Sequence, residues 1–170
     1  GKLDKAISIY KKIVEKNKKD DYIYLIGKYY YQSGKYEKAE KYLNKLYVLE
    51  EGINSEFAAV KKELVCYFLG KVYVKLNKYD RAEQVFQQGI KYNNNFSLNY
   101  FALADLYSQK GEITSSIKYY KKTLNADRSL SRIYPMIAQG YDKLEKESLS
   151  YNYWTKSLMT GNKEDIARTR

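Results

Sequence analysis

The sequence contains no histidine, one cysteine (Cys66) and one proline (Pro135) among its 170 residues. The lack of histidine excludes a Ser-His-Asp triad and a His-ligated metal site, and a single cysteine excludes an internal disulfide and a Cys-rich zinc site. Scarce proline and nine glycines disfavour a loop-rich or β-sandwich fold. No apolar run is long enough to predict a membrane span or the core of a signal peptide.

The chain is strongly basic, with 31 Lys and Arg residues against 20 Asp and Glu residues and a formal net charge of +11. Such an excess marks a nucleic-acid or acidic-protein partner only where the positive residues cluster. Here lysine is spread along the whole chain, often beside Tyr and Asn. The dispersion favours a solvated basic surface on helices.

A small residue followed three places later by tyrosine recurs at one aligned position, the first small column, in four successive copies, and the last three copies are 34 residues apart. The pairs are Gly27 and Tyr30, Gly70 and Tyr73, Ala104 and Tyr107, and Ala138 and Tyr141. A fixed spacing of this length is typical of repeat architectures, in which each repeat is one supersecondary unit.

A second column of small residues recurs in the same copies as the first column. Each of these residues is followed four places later by a large side chain. The pairs are Ala6 and Tyr10, Ala39 and Leu43, Ala82 and Phe86, Ser116 and Tyr120, and Ser150 and Trp154. Between the columns lies a turn residue, Gly34, Asn77 or Gly111, of a type that caps helices. Apolar residues recur at steps of three and four, so each copy is predicted to be a helix, a turn and a helix.

Small residues where helices cross let two backbones approach closely, which explains both columns. The pattern resembles the tetratricopeptide repeat family over residues 1 to about 162. The resemblance rests on the column residues and on two turn segments, Gly34-Lys35-Tyr36-Glu37-Lys38-Ala39 and Asn77-Lys78-Tyr79-Asp80-Arg81-Ala82. It implies an all-α fold, a right-handed α-solenoid of antiparallel helix pairs.

The repeat register predicts the organisation of the chain. The predicted segments are the second helix of a truncated repeat at 1–19, repeats at 20–53, 54–96 and 97–130, a divergent repeat at 131–162, and the start of a further or capping helix at 163–170. Pro135 is predicted to lie in the first turn of a helix, where its missing N–H is tolerated. The first helix lacks its partner, so we expect a longer parent protein.

Two expectations concern irregular parts of the array. Ala39 and Ala82 are 43 residues apart, nine more than the usual period, and helical spacing from Ser55 predicts an elongated first helix to Leu76. The alternative is an extended surface loop. Near the start, the apolar face of residues 3–14, with Ile7, Tyr10 and Val14, is expected to be covered by a neighbouring chain or to form an edge for dimerisation.

The resemblance implies a protein–protein interaction scaffold whose first helices line a concave groove that takes a partner peptide or helix. The predicted groove residues are Tyr24, Lys28, Tyr31, Tyr67, Lys71, Lys75, Phe101, Asp105 and Gln109, with Gln139 and Lys143 further along. Tyrosine supplies contact area and lysine attracts acidic groups, so an acidic or C-terminal peptide is the expected ligand. The alternative is that several of these rings only pack between repeats.

The main alternative to binding a partner peptide in the groove is self-association into a homo-oligomer. Partners could also use the convex face or an end of the array. Binding of nucleic acid is disfavoured, because no base-reading side-chain code is visible. No catalytic residue, cofactor or metal site is predicted, and Cys66 lies on an apolar face as a buried thiol. The localisation is open, with the lack of a signal or span favouring the cytoplasm.

Overall fold

The structure is a computed structural model, and it describes residues 1–17, 20–48 and 61–160. Within these ranges it contains α-helices, one short 3₁₀ turn at Ser131–Ile133, and no β-strand. The helices are α1 (Lys2–Asn17), α2 (Asp20–Gln32), α3 (Tyr36–Val48), α4 (Lys62–Lys75), α5 (Tyr79–Tyr92), α6 (Ser97–Gln109), α7 (Ile113–Ala126), α8 (Tyr134–Lys143) and α9 (Glu147–Met159).

The helices form two compact units. Unit 1, Gly1–Asn93, contains α1 to α5, in which α2 packs against α3 and α4 packs against α5. Helix α1 also packs on α2, and α3 packs on α4, so helices of successive pairs are stacked. Unit 2 begins at Asn94 and contains the pairs α6 with α7 and α8 with α9, with α7 packed on α8.

The small columns lie inside the units, as the sequence predicts. A Cβ atom added to Gly27 would lie 2.7 Å from Cγ of Leu43, and one added to Gly70 would overlap the Phe86 ring. Ala104 and Ala138 are fully buried at the same position of the later copies. Small side chains therefore set how closely the two helices of a pair approach.

Each helix pair of the complete copies turns at a residue with positive φ. The residues are Gly34 (φ 73°), Asn77 (φ 56°), Gly111 (φ 78°) and Glu145 (φ 55°). In each turn the next residue donates its backbone N–H to the carbonyl of the column tyrosine, as Lys35 does to Tyr30 at 2.9 Å. This arrangement satisfies carbonyl groups at the helix end and fixes the direction of the second helix.

The predicted elongation of α4 is corrected in part. The helix begins at Lys62, and Lys61 is extended (φ −64°, ψ 125°), so no continuous helix runs from Ser55 to Leu76. Apolar spacing identifies which face of a segment is buried, but it does not fix the backbone conformation of a single residue such as Lys61. Residues 54–60 lie outside the described residues, as do 163–170.

The expectation that the apolar face of α1 is open to another chain is wrong for its central residues. Ile7 is only 4% exposed, and the Tyr10 ring stacks on Tyr22 and Tyr29 of α2 at 5.5 and 5.9 Å between centroids. The physical reason is that this face packs on the following helix α2, so its burial does not depend on a preceding one. Pro135 lies in the first turn of α8, as predicted.

Candidate functional site

Six of the side chains carried by α2 and α4 form one aromatic and basic surface, which we call the α2–α4 face. It consists of Tyr24, Lys28 and Tyr31 from α2 and Tyr67, Phe68 and Lys71 from α4. Five of these are predicted groove residues. They meet because α2 and α4 are the first helices of successive pairs and contact each other directly within unit 1.

Phe68 lies at the centre of the α2–α4 face, in contact with its three tyrosine rings. The rings of Tyr24, Tyr31 and Tyr67 stand edge-on to it, with centroids at 5.8, 6.0 and 5.2 Å. Edge-to-face pairs of this kind are favourable beyond the area that they bury. The sequence register did not assign Phe68 to the groove, although its position next to Tyr67 on one helix was a usable signal.

The two lysines of the face lie over its rings. The Nζ atom of Lys28 is 5.7 Å from the Phe68 centroid, and that of Lys71 is 5.3 Å from the centroids of both Tyr31 and Tyr67. Lys71 also lies 3.4 Å from the Tyr67 hydroxyl. Cation–π contacts of this geometry hold an ammonium group in place while it keeps its charge.

Burial and hydroxyl contacts change the acid–base properties of the face. Burial, with a smaller contribution from nearby Tyr67, raises the pKa of Tyr24 to about 12. For Lys71, burial alone would lower the pKa, but the Tyr67 and Tyr31 hydroxyls outweigh it and the pKa is raised. Both side chains therefore keep their protons at neutral pH, and Lys71 is positively charged.

The predicted groove residues of unit 2 have a different environment. The Tyr120 hydroxyl on α7 donates a hydrogen bond of 2.5 Å to the Asp105 carboxylate on α6. Burial and then this hydrogen bond raise the pKa of Tyr120. The Phe101 ring packs on Tyr120 at 5.9 Å, and the Arg132 guanidinium lies 5.6 Å from its centroid. Asp105 and Phe101 thus connect α6 to its neighbours inside unit 2.

The remaining predicted groove residues are exposed at the surfaces of their units. They are Lys75 on α4, Gln109 on α6, and Gln139 and Lys143 on α8. Gln139 and Lys143 also line a small cavity of about 60 Å³ with Tyr120 and Gly140. Cys66 is buried, as predicted. Among the described residues, no group of His, Cys, Asp and Glu could hold a metal ion, and no helix is long and apolar enough to cross a bilayer.

Two family models match the chain. One is described as anaphase-promoting complex, cyclosome, subunit 3, and matches residues 1–89; the other is described as tetratricopeptide repeat and matches residues 67–131. No curated protein sequence is significantly similar to the chain.

Solved structures resemble nearly the whole chain. A crystal structure of MamA has a TM-score of 0.82 at 24% identity, covering 96% of this chain and 91% of its own. MamA from Desulfovibrio magneticus RS-1 has a TM-score of 0.79 at 16% identity, covering 97% and 89%. YrrB, described as a TPR protein with an unusual peptide-binding site, has a TM-score of 0.73 at 18% identity, covering 98% and 81%.

These similarities confirm the predicted fold class. At such low identities the solved structures show the fold alone. Tetratricopeptide repeats, which the second family model describes, generally form scaffolds that bind other proteins. The buried small columns, the helix pairs with positive-φ turns and the two matching family models lead to one conclusion: the chain belongs to the tetratricopeptide repeat family.

Proposed function

We propose that the chain is a protein–protein interaction scaffold whose α2–α4 face binds an acidic peptide or helix of a partner protein, as expected for the concave groove of such repeats. The observation that carries the proposal is the position of the Lys28 and Lys71 ammonium groups over the rings of one shared cluster. None of the six side chains of the face is acidic.

The chemistry of the face suits a ligand that is both acidic and partly apolar. Aromatic rings contribute contact area and lose little conformational entropy on binding, because they are already packed. The Lys71 ammonium has three N–H groups and donates one hydrogen bond, to the Tyr67 hydroxyl at 3.4 Å. A carboxylate of the ligand would accept a further, charge-assisted hydrogen bond from this ammonium.

The comparison with YrrB adds support of a general kind. YrrB is described as having a peptide-binding site, and it shares the fold of this chain at 18% identity. A peptide is therefore a ligand that this fold accommodates in at least one other protein. The chemistry of the ligand is argued from Lys28, Lys71 and the rings of this chain.

The proposal is tested with a fluorescein-labelled peptide in which glutamate alternates with leucine, followed by fluorescence anisotropy. Replacement of both face lysines, Lys28→Gln with Lys71→Gln, is expected to weaken binding about tenfold, because each exposed ion pair contributes up to about 1 kcal/mol. Lys41→Gln removes a charge from an exposed position of α3 in the same unit and is expected to change the affinity less than about twofold.

Two outcomes would contradict the proposed face. Equal weakening by Lys41→Gln and by the face variants would mean that binding depends on net charge alone. Unchanged binding in the double variant would mean that the peptide binds elsewhere. A single-stranded oligonucleotide that binds more tightly than the peptide, with a steep salt dependence, would favour the nucleic-acid function instead.

Self-association is a second candidate function, and one observation in unit 2 favours it. Tyr151, Leu158 and Met159 on α9 are 75%, 50% and 81% exposed. Exposed apolar side chains on one helix are typical of surfaces that contact a partner. Sedimentation velocity over a range of concentrations tests this function, since a monomer at all concentrations contradicts it.

A further inference from the structure

A cleft of about 410 Å³ lies in unit 1 on α1, α2 and the start of α3, away from the residues of the α2–α4 face. We call it the α1–α3 cleft. Its charged lining consists of Lys11, Lys12, Lys35 and Lys38 with Asp4 and Glu15, so the cleft carries two more positive than negative charges. Tyr30, 5% exposed, also lines it.

The four lysines are held to different degrees. Lys11 and Lys38 lie over the Tyr30 ring, with Nζ atoms 5.5 and 5.9 Å from its centroid. A hydrogen bond to Tyr30 raises the pKa of Lys11, so this ammonium stays charged. Lys35 is 2.7 Å from a carboxylate oxygen of Asp4. Lys12 and Lys38 are exposed on opposite sides of the cleft, on α1 and α3.

The equivalent place one repeat later shows which group this geometry accepts. There, Lys78 occupies the position of Lys35, and its Nζ lies 2.8 Å from both carboxylate oxygens of Glu40 on α3. In the first copy the residue equivalent to Glu40 is Ile7, which is buried and carries no charge. The position of Lys11 is likewise taken by Asn44, which accepts a hydrogen bond from Tyr73 at 3.1 Å. The first copy thus has one positive charge more than the later one, and its Lys35 pairs with Asp4 instead of with a residue at the position of Ile7.

We propose that the α1–α3 cleft is a second binding site of this chain, and that it takes a glutamate or aspartate side chain from an acidic segment of a partner protein. The partner carboxylate lies among Lys11, Lys12 and Lys38, since Lys35 is already paired with Asp4. Lys12 and Lys38 supply the attraction from the two sides of the cleft. The site lies outside the α2–α4 face and is independent of the function proposed for that face.

The test uses a protein in which Lys28→Gln and Lys71→Gln have already removed the charges of the α2–α4 face. The probe is a fluorescein-labelled peptide in which glutamate alternates with glycine, and its glutamine counterpart measures binding that does not need the carboxylates. In this background, Lys12→Gln with Lys38→Gln is expected to weaken binding of the glutamate peptide about tenfold.

The matched control is Lys45→Gln with Arg81→Gln. These two exposed residues stand at the positions of Lys12 and Lys38 one repeat later, so the control removes the same charge from the groove that Glu40 already occupies. It is expected to change binding less than about twofold. Circular dichroism and urea unfolding check that all variants fold alike.

The results separate this site from the α2–α4 face. Weakening confined to the Lys12 and Lys38 variant supports the cleft, whatever the outcome for the face. Equal weakening in the control, no binding of the glutamate peptide in the background protein, or equal binding of the glutamine peptide would each overturn the proposal. Competition by inorganic phosphate that matches the glutamate peptide in strength would also overturn it, since any small anion would then suffice.

Discussion

The two units use the same repeat position in different ways. One residue after the small column, unit 1 has Lys28 and Lys71, whereas unit 2 has Asp105 and Gln139. Lys71 lies over two rings at the surface of its unit, and Asp105 accepts a hydrogen bond from Tyr120. The repeat register therefore determines where a residue lies, while its chemistry decides whether it binds the neighbouring helix or faces a ligand.

The small column itself differs in the same way. In unit 1 it is occupied by Gly27 and Gly70, each in contact with a large side chain of the next helix. In unit 2 it is occupied by Ala104 and Ala138. A methyl group is thus accommodated in unit 2, where Ala104 packs in a core cluster with Ile117 and Tyr120. Unit 1 leaves no room for a Cβ atom at these positions and should tolerate enlargement less well.

The largest expected effect follows from that difference. Gly70→Ala places a methyl group 2.6 Å from Cδ1 of Phe86, a rigid ring that is itself fully buried. Because overpacking a core costs between about 1 and 3 kcal/mol, we expect the free energy of unfolding to fall by about 2 to 3 kcal/mol. Urea unfolding followed by circular dichroism measures the change.

The reciprocal substitution in unit 2 serves as its control. Ala104→Gly removes a buried methyl group and adds backbone freedom, so a loss of about 1 kcal/mol is expected. Replacing the ring as well, in Gly70→Ala with Phe86→Leu, should recover part of the loss that Gly70→Ala causes. If Gly70→Ala proves neutral, the two units do not differ in the room that they leave for a side chain at this position.

A smaller effect is expected one residue after the small column, at Asp105 and Lys71. Asp105→Ala leaves the buried Tyr120 hydroxyl without its acceptor, and an unsatisfied buried polar group costs about 1 to 2 kcal/mol. Lys71→Gln removes a cation–π contact at the surface of unit 1 and should change the free energy of unfolding by no more than about 0.5 kcal/mol. The same urea unfolding experiment compares the two variants.

One result would contradict the different roles given to Lys71 and Asp105. Equal destabilisation would mean that Lys71 serves the packing of unit 1 as Asp105 serves that of unit 2. The α2–α4 face would then be structural, in agreement with the alternative that its rings only pack between repeats. Tyr120→Phe is a useful companion, because it removes the donor together with its need for an acceptor and should cost less than Asp105→Ala.

Backbone constraints explain why much of the fold could be predicted from the sequence. Gly34, Asn77 and Gly111 were identifiable because few residue types adopt a positive φ at low cost. Gly27 and Gly70 were identifiable because only the smallest residue fits where two helices nearly touch. Such positions restrict residue type, so they leave a signal in a single sequence.

Side-chain contacts leave a weaker signal, and this is where sequence reasoning fell short. Nothing in the register says that Phe68 stands between Tyr24 and Tyr31, since that depends on the rotamers of rings from two helices. The same holds for Asp105, whose role follows from the reach of Tyr120 on another helix. The register places a residue on a helix face, but the partners of its side chain come from elsewhere in the chain.

The pH dependence of stability tests whether the α2–α4 face is closed to water around Tyr24. Burial raises the pKa of Tyr24 from 10 to about 12, so its contribution to stability is fully present below pH 10 and is lost as the pH rises towards 12. Between pH 9 and pH 11 the free energy of unfolding should therefore fall by about 1 kcal/mol more in the unmodified chain than in Tyr24→Phe. Tyr151→Phe, at a side chain that is 75% exposed, is the matched control and should behave like the unmodified chain. If Tyr24→Phe and the unmodified chain lose stability in parallel, water reaches the Tyr24 hydroxyl, and a ligand of this face would meet a hydrated surface rather than a packed ring cluster.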